Sequence, residues 1–171
     1  WQYTSQARID GITANTVDMS AFSSADFINV LNLPDFSLSD GTYYIDSIAK
    51  DSSSVTVCED GSLSLYGAQG TADQRFILES AGSGAYRFKN ESTGQYLTVA
   101  DEDAKSGSLV VQAAYAQDDH QLWHVRASDN GFYIQSALGN WVLDLTNGST
   151  TDGTPVRIWA PNKTTAQRFT F

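Results

Sequence analysis

The chain has 171 residues, 10 of them Lys or Arg and 20 Asp or Glu, for a net charge of −10. Without a basic cluster to neutralise phosphates, no nucleic-acid partner is expected; without an apolar run near the ~20 residues of a span, no membrane partner is expected either. Cys58 is the only cysteine, which excludes an internal disulfide, and a composition rich in Ser, Thr, Gly and aromatics favours strands and turns over helices.

In chain order, residues 1–40 differ in pattern from residues 41–171. The first 22 hold Trp1-Gln2-Tyr3, then Gly11-Ile12, then Val17-Asp18. Ser24 to Leu31 reads as one short helix, with Ser24 as N-cap and Pro34 past its end. Asp35 to Asp40 reads as a linker. No secretory leader opens the sequence, so it reads as mature protein or as a piece of a longer one.

From residue 41 a pattern recurs. Gln-x-aromatic stands at Gln74-Arg75-Phe76, Gln121-Leu122-Trp123 and Gln167-Arg168-Phe169, so the glutamines lie 47 and 46 residues apart. A fixed period of that length marks a tandem repeat. Each repeat opens on an alternating strand: Tyr43, Ile45 and Ser47, then Tyr86, Phe88 and Asn90, then Phe132, Ile134 and Ser136. Short apolar triplets around one variable residue come next, Val55-Thr56-Val57, Leu97-Thr98-Val99 and Leu143-Asp144-Leu145. Third strands end at Tyr66, Ala113 and Trp159, and a fourth is expected to carry the glutamine and its aromatic. Turn residues at Asp60-Gly61, Ser106-Gly107 and Asp152-Gly153 separate the second and third strands. The repeats span about 41–81, 84–128 and 131–171. Three four-stranded units suit a closed, pseudo-symmetric assembly without free edges; three propeller blades would be too few to ring a channel.

These repeats resemble those of ricin-type β-trefoil lectins, the family 13 carbohydrate-binding modules. The resemblance covers residues 41–171 and implies an all-β fold: a β-trefoil of three four-stranded repeats with pseudo-threefold symmetry, preceded by an N-terminal extension. Trp1-Gln2-Tyr3, Gly11-Ile12 and Val17-Asp18 resemble the C-terminal end of family 25 glycoside hydrolases, the lysozyme-type muramidases. That implies the tail of a bacterial cell-wall hydrolase, secreted and cell-wall associated, with its binding module. The catalytic carboxylates of that family lie on strands this chain lacks, so no catalytic residue is expected here. The alternative is that residues 1–40 form an extension packed on the trefoil.

The repeated glutamines read first as structure, because an amide donates and accepts at once and can tie a loop to backbone. Sugar binding asks for more: a carboxylate for paired hydroxyls, an aromatic face for the C–H side of the ring and amides for the rest. In the resembled family the carboxylate lies in the second strand, the aromatic ends the third, and amides lie near the glutamine. The third repeat matches with Asp144, Trp159, Asn162 and Gln167. It departs at Arg157, where the family often carries Gln, and at Ala166, where some members have Asn; Arg157 is expected to shift preference towards an acidic or acetylated sugar. The first repeat has Thr56 for the acid but keeps Tyr66 and Gln74, with Asp73 beside it, and reads as a weakened second site. The second, with Thr98, Ala113 and Gln121, reads as scaffold. His120 and His124 do not suit a metal pair, nor does Asp101-Glu102-Asp103 suit a calcium loop, so neither metal nor cofactor is expected. The expected partner is a carbohydrate, a cell-wall glycan or galactose-type sugar, bound by a monomer. A trefoil that has lost sugar binding and serves as spacer or protein contact is the alternative function. An enzyme in its own right would need two carboxylates flanking a glycosidic bond, and each candidate site offers one acid.

Overall fold

The structure, a computed structural model, describes residues 28–171. The first repeat forms β1 (Gly41–Tyr44), β2 (Asp46–Ser47), β3 (Ser53–Val57), β4 (Leu63–Gly67) and β5 (Arg75–Gly82). The second forms β6 (Ala85–Asn90), β7 (Tyr96–Val99), β8 (Val110–Ala113) and β9 (Trp123–Ala127), and the third β10 (Phe132–Ser136), β11 (Val142–Leu145), β12 (Thr154–Trp159) and β13 (Phe169–Thr170).

The extra strand of the first repeat is one strand broken at Ile45. Its first half pairs with β5, from Gly41↔Leu78 to Tyr44↔Arg75. The second half pairs with β13 through Phe169↔Ser47 and Thr170↔Asp46. The ring then runs β5–β6–β9–β10–β13, every pair antiparallel. Six strands therefore close into a barrel, and no edge of it stays unpaired. The break lets one strand serve two neighbours that diverge with the barrel's twist.

The remaining strands make three hairpins, β3–β4, β7–β8 and β11–β12. They meet in a triangle. β12 joins β4 at Thr154↔Leu65 and Pro155↔Ser64, and single bridges Ser62↔Val111 and Leu109↔Arg157 complete it. Inward residues of barrel and hairpins fuse into one core that includes Ile45, Phe76, Phe88, Trp123, Ile134 and Phe169 with Leu65, Leu97 and Leu143. Alternation along each strand selects these positions, and burying each large side chain contributes about 1.5–3 kcal/mol. One glycine is sterically required. At Gly131, φ is +75° and a Cβ would lie 2.2 Å from Ile48 Cδ1.

The glutamines do not sit in strands as expected. Gln74, Gln121 and Gln167 each end a three-residue 3-10 turn, Ala72–Gln74, Asp119–Gln121 and Thr165–Gln167. The tight turn swings the amide back towards the preceding loop, while the aromatic two residues on enters the core.

Residues 28–40 are not a free linker. Val30 is fully buried against Tyr133 and Val142. Asn140 clamps this strap at both ends of its amide, accepting from Val30 N at 2.9 Å and donating to Ile28 O at 3.1 Å. Phe36 N donates to Val125 O, and Ala127 N to Pro34 O. Asp35 pairs with Arg126 at 2.6 Å. Sheet-like backbone bonds and an ion pair outweigh the freedom a linker would keep. Of the expected helix, the described part is a single 3-10 turn, Val30–Asn32, capped by the side chain of Asn29. Ser24 and the muramidase-like stretch lie outside the described residues.

Candidate functional site

All three repeats share one polar device. The Nε2 of Gln74 donates to Thr56 Oγ1 and Gly67 O, both at 2.9 Å. That of Gln121 donates to Thr98 Oγ1 at 3.0 Å and Ala114 O at 2.8 Å. That of Gln167 donates to Asp144 Oδ2 and Ala160 O, both at 3.0 Å. Each Oε1 accepts a backbone N–H five residues earlier, from Gln69, Ala116 or Asn162. The amides are buried, and both hydrogens of each are used. They lock the loop between third and fourth strands onto the second strand. Gln167 and Gln74 thus hold their sites from behind, which places them as positioning residues.

In the third repeat, β11 and β12 pair Asp144 with Arg157. Arg157 Nε donates to Asp144 Oδ1 at 2.7 Å. Two residues further along the same face, Trp159 lies under the guanidinium, whose Cζ is 4.0 Å from the ring centroid. Asp144 faces away from Leu143 and Leu145, as alternation requires, yet it is only 3% exposed because Arg157 and Gln167 cover it. A cavity of about 360 Å³ opens here, lined by Asp144, Asn147, Gly148, Arg157, Trp159, Asn162, Thr164, Thr165 and Ala166. The Asn162 side chain accepts from Thr164 N and Oγ1, which shapes the rim. Asn147, at φ +58°, and Gly148 bring the Thr146–Gly148 turn after β11 to the cavity. Their Asn-Gly pairing signals a turn.

The first repeat opens a cavity of about 260 Å³, lined by Thr56, Val57, Cys58, Glu59, Tyr66, Gln69, Thr71, Asp73 and Gln74. Thr56 replaces the acid, and no guanidinium lines the space. Tyr66 is 36% exposed. Glu59, not anticipated from sequence, joins Asp73 at this cavity, so its lining carries two carboxylates and no cation.

In the second repeat Thr98 and Gln121 keep the lock, while Ala113 stands where the others carry an aromatic. His120 and His124 serve different neighbours: His120 lies near Asp118, and His124 near Asp35 at 3.8 Å. Burial first, then the charge of Arg126, holds the His124 imidazole below its ordinary value.

The family described as ricin-type beta-trefoil lectin domain-like matches residues 72–159, just over half of the chain. Among solved structures, the designed threefold-symmetric protein ThreeFoil is 23% identical with a TM-score of 0.72, over 77% of this chain and 97% of that one. The Rhizoctonia solani agglutinin is 26% identical with a TM-score of 0.69, over 80% and 96%. The Macrolepiota procera ricin B-like lectin, solved in complex with lactose, is 25% identical with a TM-score of 0.68, over 79% and 97%. No curated protein matches the chain. These structures share its threefold fold, and with a family match through the centre of its repeats the chain belongs to the ricin-type β-trefoil lectin domain-like family.

Proposed function

We propose that this chain binds carbohydrate through the third-repeat cavity, where Asp144, Arg157, Trp159 and Asn162 form the site and Gln167 fixes Asp144 in place. The observation that carries this reading is the carboxylate–guanidinium–indole stack bordering a cavity of about 360 Å³. Concave sites with a few fixed polar groups are where small ligands bind. The lactose complex of the Macrolepiota procera lectin, similar over most of both chains, supports it. The first-repeat cavity, with Tyr66, Asp73 and Gln74, is the second candidate; its open ring face suits a neutral sugar.

The further reading is that this module holds a secreted bacterial cell-wall hydrolase on peptidoglycan or other wall glycans. It is motivated by the muramidase-like residues 1–22. A single exposed sugar site is weak, and tethering to a repeating polymer supplies the effective concentration that makes it useful. A second function has one observation in its favour. Asp144 is almost fully covered and Trp159 is capped by Arg157, as expected of a trefoil that serves only as spacer or protein contact.

A glycan array that includes peptidoglycan fragments, probed with wild type and Asp144→Asn, tests these readings. Signal from wild type that disappears in the variant is the expected result. Silence from folded wild type favours the spacer. Equal signal from both moves binding to the first repeat.

A further inference from the structure

We infer that the third-repeat cavity selects a saccharide bearing a carboxylate, such as a hexuronate or a lactyl-substituted amino sugar. This deepens the carbohydrate reading above and rests on it.

Much of the cavity's binding chemistry is already occupied. Asp144 Oδ1 takes the Arg157 Nε hydrogen, and Oδ2 takes a Gln167 hydrogen. At 3% exposure, this carboxylate has little reach towards the hydroxyls of a neutral ring. The Trp159 face, the natural platform for a sugar's C–H side, lies under the guanidinium. Two of the three groups a neutral sugar needs are therefore engaged with Arg157.

What the cavity presents instead is the arginine. Its Nε edge is held by Asp144 and one face rests on Trp159, so the fork is fixed in direction. Its hydrogen bond to Asp144 uses Nε alone, and the residue lines the cavity. The terminal nitrogens form a planar set of donors that matches a carboxylate in two parallel bonds. Because the fork is already ordered by its two supports, little side-chain entropy is lost on binding. The remaining lining, Asn147, Asn162, Thr164 and Thr165, is neutral, so no second acid repels an anion. The first-repeat cavity has the opposite character, with Glu59 and Asp73 and no cation.

Calorimetric titration of the chain with matched pairs tests this: glucuronic acid against glucose, and N-acetylmuramic acid against N-acetylglucosamine. The acidic member of a pair is expected to bind wild type at least about tenfold more tightly, the scale of one charge-assisted bidentate contact. Arg157→Gln is expected to abolish that preference and, by uncovering Trp159, to strengthen the neutral member. Equal or tighter binding of the neutral members by wild type overturns the inference while carbohydrate binding stands. So does a preference that survives in Arg157→Gln. If no member of either pair and no array glycan binds folded wild type, the carbohydrate reading itself fails. The wild-type comparison decides the matter even if Arg157→Gln does not fold.

Discussion

The cavities of the first and third repeats are built on the same frame and filled differently. Both lie beside a buried glutamine that ties a loop to the first strand of a hairpin, β3 or β11. In the first, that strand offers Thr56, the ring of Tyr66 is partly open, and two carboxylates stand at the rim. In the third it offers Asp144, and the acid has drawn Arg157 across the indole of Trp159. Conserving the frame does not conserve the surface a ligand meets; one charged residue opposite another on paired strands is enough to change it.

The largest expected effect separates the two frames by stability. Asp144→Ala removes one partner of a largely buried ion pair, with side chains 4% and 15% exposed, and is expected to cost about 3 kcal/mol because Arg157 stays behind unpaired. Thr56→Ala, at the equivalent position, loses neutral hydrogen bonds and is expected to cost about 1 kcal/mol. Urea unfolding of both variants measures the difference, and equal costs would break the comparison. Next come the aromatics. Trp159→Ala removes the surface under Arg157 and is expected to cost about 1–2 kcal/mol through the lost cation–π contact and packing. Tyr66→Ala, at 36% exposure, is expected to stay within about 0.5 kcal/mol; thermal melts distinguish them.

The smallest effect lies away from both cavities and serves as their control. Burial and Arg126 hold His124 below its ordinary 6.5. The unfolded chain therefore binds this proton first as pH falls, so stability is full above about 6.5 and declines towards the lowered value. His124→Gln is expected to flatten this slope in unfolding midpoints taken between pH 7.5 and 5. Ligand binding at either cavity should not change. A variant that altered sugar preference would show that the strap and the cavities are coupled.

Much of this organisation was legible from residues alone. The glutamine spacing marked three units, and the triplets around Thr56, Thr98 and Asp144 located the second strands because a period of two leaves one residue facing away from the core. Asp144, Trp159 and Asn162 were legible as one site through the resemblance to ricin-type lectins, with Arg157 as a departure from that family's pattern. Which way Arg157 would turn was not. That depends on the cross-strand register with Asp144 and on the indole lying within reach, neither of which one strand encodes. The 3-10 turn beneath each glutamine was missed because three residues carry no period. Asp35 to Asp40 misled because its polarity resembles a linker, while two of its anchors, Val125 and Arg126, lie about ninety residues away. Glu59 escaped notice because loop shape, not sequence distance, brings it to the same cavity as Asp73.

The glutamine lock also bears on how such a chain can change over generations. Its Nε2 needs only an oxygen acceptor in the second strand, and a threonine hydroxyl at 2.9 Å serves it as well as an aspartate carboxylate at 3.0 Å. A lineage can therefore exchange acid for hydroxyl in one repeat without undoing the loop that depends on it. Three copies multiply that freedom: while one keeps its ligand, another can drift through silent intermediates and be recruited to a new one. This chain already carries three fillings of one frame: an acid–arginine pair in its last repeat, a tyrosine shelf in its first and alanine in between.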